Sequence, residues 1–283
     1  MKKFREGFMQ VLFMLSALVS IIAVALICIF LFANGVPAIR EIGLADFLTG
    51  TSWKPEQNIY GILPMIIGSI YVTAGAMLIG VPIGILTALF LVHFCPAGLY
   101  RFLKPAVDLL AGIPSIVYGF FGLTVIVPAI RNGLGGSGSS MLAASVVLGI
   151  MILPTIINVS ESAIRAVPES YYEGSLALGA SHERSVFFTV LPAAKSGVFA
   201  AVILGMGRAV GETMAVIMVA GNQTAMPGGP LQGLRTLTAN IVLEMAYAAD
   251  LHRGALIATA VVLFVFILMI NITFSLLRRK DRA

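Results

Sequence analysis

The 283-residue chain is 59% apolar and 11% charged, with a formal net charge of +5. Soluble domains carry about 25% charged residues, so this chain lacks the polar surface to cover a water-soluble fold. Its apolar runs are long and uninterrupted, which excludes a β-barrel of short alternating strands. An all-α integral membrane protein is expected.

Six transmembrane helices are expected, each long enough to cross roughly 30 Å of hydrocarbon at 1.5 Å per residue. The first, Phe8–Ala33, follows Lys2, Lys3 and Arg5. It is longer than the roughly 7–15-residue core of a secretory signal, so a retained span is expected. Cys28 lies within it and Cys95 in a later short loop; neither has metal-like or redox-like neighbours, and both are expected to be free thiols. The outer loop that follows contains Ser52-Trp53-Lys54-Pro55 and Tyr60. Trp53 and Tyr60 suit anchoring at the membrane interface; the alternative is a docking surface for an external binding protein.

The second span is Pro64–His93 and the third Pro105–Ile130. The third contains Pro114, which frees a carbonyl near Leu110, and Gly112, Gly119 and Gly122. Broken helices survive at membrane depth where protein or water satisfies the freed groups, and they often mark a substrate path. A kink used only for packing is the other reading. Ser115 and Tyr118 are the polar groups here that could face a pore. Arg131–Ser140, rich in Gly and Ser, is expected to be a flexible outer loop.

After the fourth span, Met141–Val159, comes the polar stretch Pro168–Pro192. Pro168 suits a first helical turn, Gly179 can end the helix in the left-handed region, and Ser181 can cap a second short helix. Two short helices with a glycine hinge are expected. Tyr171, Tyr172, Leu176 and Leu178 make the first one apolar, which fits either a partner surface or a helix lying in the bilayer interface.

The fifth span, Gly197–Ala220, places Arg208 and Glu212 inside an apolar run. Charges there are costly unless paired or hydrated. Four residues apart on one helix, they could meet. Arg208 falls near mid-membrane, and its planar fork matches an oxyanion. An anion pathway over Arg208, Glu212 and the adjoining Thr213 is weighed against a structural ion pair. His252, beside Asp250 and Arg253, reads as an ordinary surface histidine. The sixth span, Ala255–Leu277, ends in a basic tail that anchors at the membrane and could touch anionic lipid.

If the N-terminus is cytoplasmic, that side holds Lys2, Lys3, Arg5, Arg101, Lys104, Arg165, Arg184, Lys195, Arg278, Arg279, Lys280 and Arg282. The other side holds only Arg40, Lys54, Arg131, Arg235 and Arg253. Both termini are therefore expected in the cytoplasm, with the Pro168–Pro192 loop on the same side.

Glu173-Gly174-Ser175, Gly179 and Leu191-Pro192 resemble the EAA loop of ATP-binding-cassette importer permeases in spacing throughout. Gly174 and Ser175 stand where that pattern has alanines, and Thr189 where it has isoleucine. The run Gly207-Arg208-Ala209-Val210-Gly211-Glu212-Thr213-Met214, with Gly221-Asn222, is similar to the PstC-type subunits of phosphate importers. It is less close to the sister PstA type. The resemblance implies a type I importer permease fold in the plasma (inner) membrane of a prokaryote. Residues 1–63 would be the first span and outer loop, 64–278 the five-helix permease domain with a cytoplasmic coupling loop at 161–196, and 279–283 the tail. It also implies a PstA-like second permease, a PstB-like ATPase dimer docking on Glu173, Gly174, Ser175, Leu178, Gly179, Leu191 and Pro192, and a PstS-like binding protein that delivers phosphate.

The chain has no phosphate-loop motif. ATP and Mg are expected on the partner ATPase, with no cofactor, metal or enzymatic activity on this chain and no nucleic-acid partner. Molybdate, tungstate or sulfate remain alternative cargoes. So do a subunit that mainly reports phosphate status and, more remotely, an ion-driven transporter.

Overall fold

A computed structural model describes the backbone of residues 2–280 and the side chains of residues 8–273. The side chains of Lys2, Lys3, Arg5, Arg278, Arg279, Lys280 and Arg282, counted for the expected orientation, lie outside the described residues.

Helix α1 (Lys2–Ile42) continues well past the expected end at Ala33. From Phe8 to Phe30 its large side chains are exposed, as befits a surface meeting lipid or another chain. Only its outer end packs inward. A Cβ on Gly35 would approach Val261 to 2.7 Å, so the glycine lets two backbones come close. A short helix α2 (Leu44–Thr49) and a hairpin of β1 (Trp53–Lys54) and β2 (Ile59–Tyr60) form the first outer loop, with Trp53 opposite Tyr60.

Helix α3 (Leu63–Leu89) ends in a π-helical turn, Phe90–Phe94. Next, α4 (Ala97–Gly112) stops at Ile113 and Pro114, both extended, and α5 (Ser115–Phe121) starts afresh. Pro114 cannot donate to the helix, and its ring pushes Ile113 out of the helical region. The third span is therefore not the single helix Pro105–Ile130. The membrane-length segment is Ser115–Leu134, made of α5, a π turn at Gly122–Ile126, and α6 (Val127–Leu134).

The glycine-rich stretch after α6 is exposed from Gly135 to Ser137 and pinned at its end. Ser140 is fully buried, caps α7 (Met141–Arg165) by accepting from the Ala143 N–H at 3.3 Å, and donates its own N–H to the Val219 carbonyl at 3.0 Å. Helix α7 is the central post. It runs six residues past the expected Val159 and packs along α3, where the absent side chains of Gly80 and Gly84 leave room for Ile152 and Ile156. Between membrane helices the gain is close van der Waals contact rather than escape from water.

The Pro168–Pro192 loop forms α8 (Glu169–Ala177), α9 (His182–Ser185), a π turn at Val186–Val190, and α10 (Leu191–Ala193). The segment His182–Ala193 then bends by 71° into α11 (Lys195–Gly211). Glu212 and Thr213 interrupt the expected fifth span before α12 (Met214–Val219). An outer excursion carries α13 (Leu237–Glu244), and α14 (Asp250–Lys280) closes the chain. Among the described residues five helices are long and apolar enough to cross a membrane, and a sixth crossing follows if the bent pair is one span.

Candidate functional site

Two broken helices meet at one place. Helix α5 lies against α12 so closely that a Cβ on Gly119 would stand 2.9 Å from Ala215 and 2.8 Å from the sulfur of Met218. Each break is repaired locally, as membrane depth requires. The carbonyl of Leu110, freed by Pro114, accepts the Tyr118 hydroxyl at 2.7 Å. Tyr118 is 6% exposed, so its hydroxyl serves the break and is not offered to a pore. Ser115, the first residue of α5, remains half-exposed beside that break.

The second break changes the expected Arg208–Glu212 relation. A pair four apart meets only on a continuous helix, and here the helix ends at Gly211 while Glu212 is extended. The Glu212 carboxylate instead accepts from the Ala215 N–H at 3.1 Å, capping α12. Its carbonyl accepts from the Thr238 hydroxyl on α13 at 3.1 Å. Thr213 turns its hydroxyl back to the Gly211 carbonyl at 3.3 Å.

Arg208 is left half-buried, with a long hydrogen bond from Nη1 to Thr155 Oγ1 at 3.4 Å and no carboxylate partner among the described residues. It lies thirteen residues beyond Lys195, roughly 20 Å along α11. Gly207 and Gly211 on the same helix have open space where a side chain would stand. The result is a half-buried guanidinium on an uncovered, glycine-bordered face, without a carboxylate partner among the described residues.

Thr155 gave no sequence signal, because only the crossing of α7 and α11 brings it to Arg208. A second cluster was also missed. Lys104 on α4 pairs with Glu161 at 3.0 Å and with Asp108 at 3.3 Å. Glu161 also accepts from Tyr100 at 2.7 Å and pairs with Arg165 at 3.0 Å. The Glu161–Arg165 spacing was legible, but ending the fourth span at Val159 hid that both lie on α7.

On the outer face Glu244 is a hub. Trp53 Nε1 donates to its Oε2 at 2.8 Å, His252 Nε2 meets the same oxygen at 2.8 Å, and Arg235 pairs with Oε1. Trp53 is 5% exposed and is a core residue rather than an interface anchor. His252 is packed and bonded rather than an ordinary surface histidine.

The Pro168–Pro192 loop follows its expected form. Gly179 has φ +88°, and Ser181 caps α9 by accepting from the Arg184 N–H at 3.3 Å. Ser175 Oγ accepts from Ser185 at 3.0 Å and from Thr189 at 3.3 Å. Two positions that depart from the importer pattern thus face each other, and a polar contact replaces an apolar one. Tyr172 turns inward, its hydroxyl 2.7 Å from His182 Nδ1. Leu178, 90% exposed, projects from the loop, with Glu173 and Gly174 also exposed.

The family model described as a binding-protein-dependent transport system inner membrane component matches residues 80–282. The chain belongs to that family. This permease is 41% identical to the probable ABC transporter permease protein YqgH of Bacillus subtilis, over 93% of this chain and 88% of the relative. It is 34% identical to the phosphate transport system permease protein PstC of Mesorhizobium japonicum, over 95% and 89%. It is 32% identical to PstC of Haemophilus influenzae, over 99% and 96%. In fold it resembles a subunit of the MetNI methionine ABC transporter (TM-score 0.60, 20% identity, 81% of this chain and 99% of that one). It also resembles a subunit of a bacterial alginate importer (TM-score 0.64, 17% identity, 95% and 96%). The permease is a multi-pass inner-membrane subunit of an ABC importer, with a transport role and not an enzymatic one. Binding-protein dependence is part of the family's description.

Proposed function

We propose that this permease subunit conducts inorganic phosphate into the cell past Arg208. The observation that carries the reading is the half-buried Arg208 guanidinium, deep along α11 and without a carboxylate partner among the described residues. A charge at that depth is retained where it meets an anion or water, and its fork suits phosphate oxygens. The PstC names of several relatives support the choice of anion. Thr155 steadies the guanidinium. Glu212 and Thr213 hold the break open by capping α12 and bonding Gly211, and Ser115 borders the neighbouring break.

In the full importer a PstA-like second permease covers the Arg208 face. A PstS-like protein delivers phosphate, and a PstB-like ATPase dimer holding ATP and Mg docks on the loop. Leu178 and the exposed side of α8 form that docking surface. Glu173, Gly174, Ser175 and Gly179 shape it, and Leu191 and Pro192 join it to the bend before α11. A push on the loop turns the His182–Ala193 arm about the bend and is carried along α11 toward Arg208.

The test is Arg208→Gln in the complete complex reconstituted in vesicles. Phosphate uptake should fall at least tenfold while the subunits still copurify; uptake at the unsubstituted rate would overturn the reading. Competition with molybdate, tungstate and sulfate in the same vesicles identifies the cargo, since a lone guanidinium attracts all of these anions.

A further inference from the structure

The first outer loop and the corner between α13 and α14 enclose an open cavity of about 600 Å³. Its floor is the rigid hub of Glu244, His252 and Tyr60, all with little exposure. The His252 ring stacks on Tyr60 at 6.1 Å. The Glu244 charge is already matched by Arg235. The wall carries two further carboxylates, Glu56 and Asp250, both exposed and without an ion-pair partner among the described residues. Tyr247, 69% exposed, presents its ring at the mouth. Among the described residues no lysine or arginine lines the space.

The geometry points to a docking socket for a basic side chain, arginine or lysine, of the importer's extracytoplasmic solute-binding protein. Charge complementarity selects the occupant: two unmatched carboxylates attract a cation, and an exposed aromatic face accepts a guanidinium or ammonium. Position selects the partner, because the topology puts this cavity on the side where a binding protein arrives. A cavity this size admits a side chain, while the hydrogen-bonded floor keeps its shape.

The socket also lies at the far end of a short rod from the membrane site. Glu244 ends α13, and Thr238 near the start of α13 bonds the Glu212 carbonyl. A partner seated over the socket would press on the helix that buttresses the break beside Arg208. The inference rests on membership of the binding-protein-dependent family and is independent of which solute is carried.

The experiment uses the complete complex and its own solute-binding protein. ATPase rate is titrated against binding-protein concentration for the unsubstituted complex and for the Glu56→Gln, Asp250→Asn pair. The half-saturating concentration should rise roughly three- to tenfold in the pair, with the rate recovering at saturation. The difference should shrink in high salt, where exposed charges are screened. An unchanged half-saturating concentration overturns the socket. The unsubstituted titration is repeated with external EDTA. If the chelator reproduces the shift there and has no effect on the pair variant, the carboxylates hold a metal ion and the proposal also fails. A cargo other than phosphate would leave the titration as predicted, so the two readings fail separately.

Discussion

At the scale of single residues, hydrogen-bond geometry decided roles that residue type alone left open. Ser175 and Thr189 illustrate this: each departs from the importer pattern, and their hydroxyls meet at 3.3 Å. A hydrogen bond of this kind contributes about 1 kcal/mol. Thr189→Ile alone should therefore cost about that much, and the Ser175→Ala, Thr189→Ile pair less than the sum of the two single changes. A double-mutant cycle on thermal unfolding of the purified subunit measures the coupling. Glu244 supplies a pH prediction. Burial alone would raise its carboxyl. Hydrogen bonds from Trp53, Arg235 and His252, together with the Arg235 charge, hold it below the usual range. A carboxylate held low contributes stability above its unfolded value, about 4.3 for Glu, and loses it as pH falls through the lower folded value. Acid should thus loosen the outer hub, and Glu244→Gln should flatten that acid limb. Trp53 is the only tryptophan and bonds Glu244 directly, so its fluorescence during acid titration reports the change.

At the scale of elements, the breaks and hinges link the Pro168–Pro192 loop to α11. Gly179 sits at φ +88° with open space around it. Valine there meets no clash but must adopt the left-handed region, at roughly 1–2 kcal/mol. The hinge between α8 and α9 should shift, lowering uptake per ATP hydrolysed while hydrolysis itself continues; measuring both rates in the same vesicles checks this. Gly197 behaves differently, because a Cβ there would stand 2.4 Å from the Cβ of Ala163. Gly197→Val should pry α11 from α7 just beyond the bend, and a fall in melting temperature together with loss of uptake is the expected result.

For the whole molecule, the uncovered surfaces describe what is absent from a single chain. Leu204, Gly207, Gly211 and Met214 are exposed on the stretch that also carries Arg208. A charge-bearing face is not left to lipid. Gly207→Cys should therefore react with a membrane-permeant thiol reagent when the subunit is expressed alone. It should be protected when the second permease is coexpressed; equal reactivity in both would argue against a subunit seated there.

How much was legible in the sequence varied with the range of the interaction. The apolar runs, the Lys and Arg bias, and the turn chemistry of Pro168, Gly179 and Ser181 are local, and they set the class, the expected orientation and the form of the Pro168–Pro192 loop. The type I importer family was reached through motif spacing, which is also a property of the linear chain. Pro114 left a kink and a break both open, and the structure shows the break. Nothing local announced the break at Glu212, because its carboxylate chooses between pairing with Arg208 and capping α12 only once α13 offers Thr238 to its carbonyl. The partners of Arg208 and Glu244 follow the same rule: Thr155 lies 53 residues from Arg208 and Trp53 lies 191 from Glu244. The sequence by itself determined a helical membrane chain with a structured Pro168–Pro192 loop, since hydropathy and turn propensity act within a few residues. Only the tertiary structure decided that Arg208 stands without a carboxylate and that His252 and Trp53 belong to one buried hub, because those outcomes depend on which helices cross.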